Sequence, residues 1–400
     1  MILKWAFPLI PSTLRTEYGM LTTILAILTA LVTDTARTDL TLSGQFGQGT
    51  QVLEGRQTGG FEVNARSVYD INPVSRVFGE ASYTWQDCKQ TQGVDNADYR
   101  MTAPYWTVDT VGGDLRREIY YFRGGYRMLK NHILWHAALQ FRAEQSYRMR
   151  DPRAKNKVSD LRVEASVGYQ WNRYALSLLA YGGRYKQNNE IRFYSELGET
   201  TIYHMANETE PYARFSSNNK VSYYSGYRAG VGLQLLPTTG FMAGVQYDWF
   251  RFTKELTINT QVPIVRLNTH TLSAQLGYVA QCWRVQGAAG IELKRGEQFL
   301  YGDNANNYYE LLLISPNYRA NYVFANIYGD YRLPLPIGDL LFVGAVDYDQ
   351  FLQHVSEQLR VQYTFPVKNQ YAWFVAPKAC FHQYDRAHAW QVTLETGLTF

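Results

Sequence analysis

The sequence predicts an all-β fold, a closed antiparallel up-and-down barrel of about 16 strands that spans a membrane, with 14 strands as the alternative count. Three observations lead to this prediction. Segments of about ten residues alternate apolar and polar side chains, the joins between them alternate short and long, and the chain ends on an aromatic residue of such a segment. A tilted transmembrane strand needs about ten residues to cross the hydrocarbon core of a bilayer.

The two-residue alternation is the first of these signals. In ILWHAALQFRAE (133–144) every odd position is apolar, whereas the even positions include His, Gln, Arg and Glu. The same pattern recurs in 161–171, 227–235, 241–249 and 283–293. Alternation of this kind indicates a strand with one face against an apolar medium and the other against a polar one.

The joins between the predicted strands form two classes. Tight joins of two to six residues, such as 129–132 and 236–240, separate longer ones. The last two joins of the long class, 352–356 and 385–389, are short and break the trend. Short turns on one side and long loops on the other are typical of outer-membrane barrels. The predicted long loops are 87–115, 148–158, 187–220, 254–265 and 295–317.

Composition agrees with a barrel. The chain has 400 residues, of which 46% are hydrophobic and 32 are Tyr, and its mean hydropathy is -0.32. These values fit neither a disordered chain nor a helical membrane protein. A soluble sandwich or propeller is the alternative, but the strands are long and no blade-sized repeat occurs. Aromatic residues at strand ends are expected to form interfacial belts, namely Tyr169, Trp171, Tyr247, Trp249, Trp283 and Trp390.

Charge and cysteine usage argue against several functions. The net charge of +4 comes without a run of Lys and Arg, so we expect no nucleic-acid partner. The three cysteines, Cys88, Cys282 and Cys380, contain no CxxC pair. We therefore expect no zinc site, and neither another metal nor a cofactor is predicted.

The two ends of the chain carry separate expectations. Residues 1–36 include an apolar run of signal-peptide length, which is too short to span a bilayer as a helix. They form either a leader or a part of the folded protein, and residues 37–400 form a single barrel domain. At the other end, alternate residues should face lipid and resemble the C-terminal signal that the barrel-assembly machinery reads. These residues are Trp390, Val392, Leu394, Leu398 and Phe400.

Two motifs carry a family resemblance. The segment 108–126 contains a D-x-x-GGD element, and 147–171 contains a DPR-x-KN element. With 33–61, they resemble an uncharacterised outer-membrane β-barrel family of Bacteroidota, from about residue 33 to the C-terminus. The resemblance implies the outer membrane of a Gram-negative, Bacteroidota-like bacterium, and it implies no activity. The motif residues are Asp109, Gly112, Gly113 and Asp114, and then Asp151, Pro152, Arg153, Lys155 and Asn156.

The predicted inner face is charged in both signs. One interpretation is a charge ladder that selects ions or solutes. The other is that the charges pair across strands and with inserted loops, so that they fill the lumen. The basic segment 151–157 is likewise either a ligand-binding loop or a simple turn fixed by its proline. The candidate lumen residues are Arg142, Glu144, Arg162, Glu164, Arg228, Arg284, Glu292 and Lys294.

Three function classes follow. The first is a pore or an accessory component of solute transport across the outer membrane. The second is a plugged scaffold whose loops dock a surface lipoprotein or a TonB-dependent transporter. The third, an outer-membrane enzyme, is disfavoured because none of the seven histidines lies in a recognisable catalytic motif, although His136 and His382 should face inward. The expected partners are outer-membrane lipids and the barrel-assembly machinery, and no catalytic residue is predicted.

Overall fold

The computed structural model describes residues 37–51, 55–195, 199–212, 219–257, 260–302, 310–368, 371–384 and 388–400. The leader predicted in 1–36 lies outside these residues. Within them, no helix has both the length and the apolar character to cross a membrane.

Sixteen strands form one closed barrel in which each strand pairs with its neighbours along the chain. Two further strands, β4 and β9, form a small sheet of their own, and a single helical turn, α1 (Tyr99–Thr102), lies between β3 and β4. The strands are β1 (Arg37–Gln51), β2 (Gly55–Asn72), β3 (Ser75–Thr91), β4 (Thr107–Val108), β5 (Gly113–Lys130), β6 (Ile133–Arg148), β7 (Arg153–Trp171), β8 (Tyr174–Arg192), β9 (Tyr203–His204), β10 (Val221–Pro237), β11 (Gly240–Thr257), β12 (Gln261–Val279), β13 (Trp283–Tyr301), β14 (Leu311–Leu335), β15 (Gly338–Asp349), β16 (His354–Lys368), β17 (Tyr371–Tyr384) and β18 (His388–Thr399).

The barrel closes where the last strand pairs with the first. β18 runs antiparallel to β1 from Trp390 to Thr399. Beyond it, the amide of Thr38 donates to the carbonyl of Phe400 at 2.6 Å, and the amide of Phe400 donates to the carbonyl of Thr38 at 2.9 Å. Closure leaves no open sheet edge in the hydrocarbon, where an unpaired backbone group would be costly. The predicted closed barrel and its count of 16 strands are confirmed.

The outer surface carries an apolar band. Trp390 and Phe400 are exposed to 41% and 50%, and the exposed side chains of Val392 and Leu394 lie between them. Ten residue steps of strand span about 33 Å along the strand. At the usual barrel tilt this becomes about 25 Å across the bilayer, which is the typical height of a lipid-facing band. The last strand therefore crosses the membrane with one aromatic ring near each interface.

Phe400→Ser should reduce the amount of assembled barrel in the outer membrane several-fold without changing synthesis. The reason is that the terminal ring completes the lipid-facing stripe that the assembly machinery is expected to bind. The measurement is the heat-modifiable folded fraction in isolated membranes. Phe241→Ser is the matched control, because Phe241 is also exposed at the same rim of the barrel. Equal losses in both variants would contradict a special role for the last residue.

The strands extend beyond the predicted segments, so several predicted long loops are wrong. The joins predicted at 148–158, 254–265 and 295–317 are largely strand, because β7 begins at Arg153, β12 at Gln261 and β14 at Leu311. On β7, for example, the outward residues near the outer end are the exposed Lys155 and Lys157, while backbone pairing with β6 continues. The lipid-facing alternation that defined the predicted segments therefore ends before the strands do.

β11 illustrates this change of environment along one strand. Its lower half presents Val245 and Tyr247 outward, where both side chains are exposed. Its upper half reverses the pattern, because Phe250, Phe252 and Leu256 are buried on the inner face. Exposure of these apolar side chains to water in the lumen would be unfavourable. Another part of the chain must therefore cover this inner face inside the barrel.

Candidate functional site: a plug segment and the passage beside it

The residues between β3 and β5, 92–112, turn into the lumen, and we name them the plug segment. Helix α1 lies at its centre, and the Arg100 side chain donates to Glu292 at 3.3 Å and to Asp349 at 2.8 Å. Glu292 lies midway along β13. On the opposite wall, Asp98 pairs with Arg142 of β6. The plug segment therefore reaches the middle height of the barrel and is tied to strands on both sides of it.

The D-x-x-GGD motif anchors the base of the plug segment. One carboxylate oxygen of Asp109 accepts the amides of Val111 and Gly112 at 2.6 Å each, and the other pairs with Arg148 of β6. Gly112 has a φ of +68°, and a Cβ there would lie 2.3 Å from the carbonyl oxygen of Thr91. Only glycine fits this turn. The family motif is thus a structural element that holds the plug segment at its exit.

Two buried lysines of the wall bind backbone carbonyls of the plug segment. Lys254 of β11 donates to the carbonyls of Tyr105 at 3.1 Å and Trp106 at 2.7 Å. Lys294 of β13 donates to the carbonyls of Arg100 at 2.8 Å and Ala103 at 3.4 Å. The carbonyl of Tyr105 also accepts the Tyr224 hydroxyl at 2.8 Å, and the carbonyl of Trp106 also accepts the Met205 amide at 2.8 Å. Each ammonium group is buried, so its removal would cost hydrogen bonds that bulk water does not readily replace.

Apolar packing completes the attachment. Ala97 and Tyr105 of the plug segment pack in one cluster with inner-face residues of β7, β8, β10, β11 and β12. The wall members of this cluster are Val158, Tyr185, Tyr224, Phe250, Phe252, Leu256, Ile264, Val265 and Leu267. The apolar upper half of β11 is therefore covered by the plug segment and packed as a protein interior. Sequence reasoning missed this cluster, although the shift of apolar residues to the inner phase of β11 was a usable signal.

A second segment, residues 199–212, contacts the plug segment. Its strand β9 pairs with β4, and the buried His204 ring lies 3.3 Å from the Thr107 hydroxyl and 3.0 Å from the Asn219 carbonyl. Burial, together with the nearby Lys254 cation, lowers the pKa of His204 to about 3. The ring is therefore neutral in the docked plug at neutral pH.

Acidification below pH 6.5 should loosen the plug segment. A released His204 takes up a proton at its ordinary pKa of 6.5, whereas the docked ring resists protonation down to about 3. Docking is therefore favoured above 6.5, and this contribution is lost as the pH falls. Burial raises the pKa of Asp95, which opposes the trend.

His204→Gln separates the two contributions to this pH dependence, because glutamine can keep hydrogen bonds to Thr107 and Asn219 and does not titrate. The measurement is the rate of proteolytic cleavage after Arg100 between pH 7 and pH 4. The rate should rise in the wild type and rise less in the variant. Equal pH profiles in the two proteins would contradict the role of this ring.

All eight candidate lumen residues lie on the inner face, and each has a partner of opposite charge. Some pairs join candidates to each other, and the remainder involve residues that the sequence did not single out, namely Asp160, Asp330, Arg100 and Arg123. The closest oppositely charged atoms are separated by 2.9 Å in Arg142–Glu144, 3.6 Å in Arg162–Glu164, 2.9 Å in Arg228–Asp160, 2.7 Å in Arg284–Asp330, 3.6 Å in Lys294–Glu292, 3.3 Å in Arg100–Glu292 and 2.8 Å in Arg123–Glu164.

One group of buried ion pairs is centred on Glu164 of β7. Glu164 contacts Arg123 at 2.8 Å and the ring of His136 at 3.3 Å, and Arg162 lies over the Tyr181 ring at 3.7 Å. No sequence spacing indicates this group, because β5, β6, β7 and β8 contribute one or two residues each. Breaking such a buried pair costs more than the pair contributes, because one charge is left alone.

The inner wall is unevenly covered. Under the plug segment, the inner faces of β7 to β13 are buried, including the polar side chains of Asn156, Gln187 and Asn189. On the other side, some inner-face residues of β16 and of β1 to β3 remain partly exposed, although Lys378 of β17 and Thr393 and Glu395 of β18, which lie between them, are buried. The partly exposed residues are Gln45, Glu62, Arg66, Glu80, Ser82, Thr84, Gln86, Ser356 and Gln358. We call the space along these residues the side passage.

The DPR-x-KN motif is not an exposed loop, contrary to the prediction for 151–157. Strand β7 starts at Arg153, and Asn156 is buried against the Ser146 hydroxyl at 3.2 Å. Asp151 accepts the amides of Tyr194 and Ser195 at 2.6 Å each, so it fixes the end of the β8 segment. The motif therefore links the β6–β7 connection to the end of β8, and its one lysine, Lys155, is exposed on the outer face.

Chemistry beyond charge pairing is sparse in the part of the chain that the structure describes. Cys88, Cys282 and Cys380 form no disulfide with one another. No group of three or more His, Cys, Asp or Glu side chains in the described ranges is placed to hold a metal ion.

The closed sheet, the lipid-facing band and the polar, ion-paired interior define a transmembrane β-barrel of the outer-membrane type. Residues 25–338 match a family of unknown function (DUF6850), and the chain belongs to that family. No curated protein matches the sequence.

Solved structures with a similar architecture include three transporters or channels. The toluene transporter TbuX of Ralstonia pickettii has 11% identity and a TM-score of 0.44, with 92% of this chain and 90% of that one covered. The toluene transporter TodX of Pseudomonas putida has 8% identity and a TM-score of 0.40, with 92% and 90% covered. The CymD monoaromatic hydrocarbon channel has 9% identity and a TM-score of 0.39, with 96% and 93% covered. Sequence identities and TM-scores this low give no information about the solute or the mechanism of this protein.

Proposed function

We propose that the protein is an outer-membrane pore for small polar solutes, and that its lumen is narrowed to the side passage. The uneven covering of the inner wall is the observation that carries this proposal. A fully plugged barrel would bury its inner face on every strand, whereas Glu80, Ser82, Thr84 and Gln86 keep partial exposure along β3. A 16-strand barrel is wide enough to leave an aqueous channel beside an inserted segment.

The charges along the side passage favour neutral solutes. Glu62 and Glu80 alternate with Arg66 on β2 and β3, and the register sets Arg66 opposite Glu80. Opposite charges at this spacing cancel each other's field, so neither cations nor anions gain a large advantage. The remaining wall residues are amides and hydroxyls, which exchange hydrogen bonds with a passing solute as water does.

Thiol labelling in planar bilayers tests the proposal. In a Cys282→Ser background, Ser82→Cys should react with a bulky aqueous thiol reagent, and the current should fall several-fold. Ser222→Cys is the control, because Ser222 lies on the covered part of the wall with only 1% exposure. Absence of any channel in a correctly folded barrel would overturn the proposal, and so would equal block in both variants.

A plugged scaffold is the second candidate, and one feature favours it. β14 pairs with β15 only as far as Phe324, so its upper part projects with β13 alone. Leu312 and Leu313 are exposed near the end of this projection. Exposed apolar residues above the membrane suit contact with a lipoprotein or a transporter. Bilayers without current, together with site-specific cross-linking of such a partner at Leu312, would favour the scaffold.

We further propose that the protein acts without catalysis in the outer membrane of a Gram-negative, Bacteroidota-like bacterium. The resemblance of its motifs to a Bacteroidota family supports the host, and the barrel architecture supports the membrane. Fractionation of the native host, with the protein followed by antibody, tests this location. Recovery in the aqueous fraction without detergent would overturn it.

A further inference from the structure

A group of polar and aromatic side chains lies at the outer end of the side passage. His354 is the first residue of β16, and the register sets it opposite Asp349 of β15 and Tyr384 of β17. Its ring stacks on the Tyr384 ring at 4.7 Å between centroids. Gln358 lies on the same inner face, about 13 Å further along the strand.

His354 has an unmet hydrogen-bonding atom. Its Nε2 lies 2.9 Å from Nδ1 of His382, so one of these two atoms carries the shared proton. Its other nitrogen, Nδ1, has no partner among the described residues, although the side chain is only 6% exposed. In one tautomer Nδ1 accepts a hydrogen bond, and in the other it donates one. A hydroxyl group satisfies both, since it can donate and accept.

Gln358, which lies deeper in the passage, also has a polar atom without a hydrogen-bond partner among the described residues. This atom is its buried Nε2. Between the two residues, Ser356 is already used, because its hydroxyl donates to Asp347 at 3.3 Å. Two unmet groups separated by about 13 Å are too distant for one small sugar or polyol. A chain of two or three linked hydroxylated rings spans them.

Aromatic faces border the same mouth. Phe351, in the turn before β16, lies 5.1 Å from Tyr322 and 6.4 Å from Tyr99 of the plug segment. All three rings are partly exposed. The Lys294 ammonium and the Arg100 guanidinium lie over the Phe351 ring at 4.9 and 5.8 Å, so the flat faces that suit the CH face of a sugar ring are those of Tyr322 and Tyr99. The nearest acid, Asp349, is paired with Arg100 at 2.8 Å, so the site favours a neutral ligand.

We propose that His354, Gln358 and Tyr384 form a binding subsite for a neutral oligosaccharide at the mouth of the side passage. The subsite deepens the proposed pore, since it would concentrate such a solute where the passage begins. Water alone could also satisfy His354 and Gln358, and the experiment distinguishes these outcomes.

The test uses the full-length barrel in detergent, with maltotriose, cellotriose and xylotriose as probes and pentaethylene glycol as an extended polar control without rings. Calorimetric titration should detect binding of at least one trisaccharide and none of the glycol. Gln358→Leu and Tyr384→Ala should each weaken binding about fivefold, which is the effect of one lost hydrogen bond or ring contact. Gln86→Leu, on the β3 wall of the passage, should leave the affinity unchanged.

Several outcomes would overturn the subsite: no trisaccharide binds, the glycol binds equally, or Gln86→Leu weakens binding as much as Gln358→Leu. The same proteins in planar bilayers separate this inference from the pore. Trisaccharide binding without current would support the subsite and overturn the pore. Current without any trisaccharide binding would support the pore and leave only water at His354 and Gln358.

Discussion

Replacing residues 94–108 with Asn-Gly should raise the single-channel conductance several-fold. Gly93 and Asp109 are already adjacent, because the amide of Asp109 donates to the carbonyl of Gly93 at 2.7 Å. A two-residue turn can therefore join them without distortion, and Asn-Gly suits such a turn. The replacement removes α1 and the contacts of Arg100, Tyr105 and Asp98, so the lumen of a 16-strand barrel opens.

The control variant for this replacement retains the plug segment but weakens its attachment to the barrel wall. Lys254→Met removes one of the two donors to each of the Tyr105 and Trp106 carbonyls, and we expect brief openings of larger conductance with an unchanged main level. Folding of each variant is verified by heat-modifiable migration in gels. An unchanged conductance in a folded barrel that lacks residues 94–108 would contradict the occluding role of the plug segment.

Ala81→Arg should destabilise the barrel by about 2–4 kcal/mol, the typical cost of an arginine on the lipid face near the bilayer midplane. Ala81 faces outward on β3, because the register sets it beside Ala65 and the exposed ring of Phe122. The measurement is the free energy of unfolding in lipid bilayers by denaturant titration.

Ser82→Arg is the matched control, since the neighbouring residue is equally small and points into the lumen. The register sets Ser82 beside the buried Asn64 and Tyr121, at the edge of the side passage. Its cost should be within about 1 kcal/mol, because the new guanidinium group reaches water in the lumen. The reverse ranking of the two variants would show that the assigned faces are inverted.

The two faces of each strand were predictable from sequence because they are set by a local rule. Where a strand crosses the bilayer, alternate side chains contact hydrocarbon and must be apolar. This produces a two-residue period in the sequence that is recognisable without a structure. The inward placement of Arg142 and Glu164, and the outward placement of Trp390 and Phe400, follow from that period alone. The same signal together with the turns predicted about 16 strands, with 14 as the alternative, and the structure has 16 in the barrel.

Pairing partners inside the lumen were not predictable from sequence. Arg100 contacts Glu292 and Asp349 across separations of 192 and 249 residues, and no periodicity relates such positions. The upper strand ends were also missed, because the outward polar pattern above the membrane resembles a loop. The sequence of β11 does place Phe250, Phe252 and Leu256 at the inward-facing positions. Which segment of the chain covers them could not be predicted from that pattern.

By itself, the sequence determined which side chains face lipid and narrowed the number of strands to 14 or 16, since both depend on contact with a uniform apolar solvent. Only the tertiary structure decided that residues 92–112 fold inward, that Lys254 and Lys294 hold them, and that inner-face residues of β16 and of β1 to β3 stay partly exposed. Those features depend on contacts between segments far apart in the chain, and such contacts leave no local period.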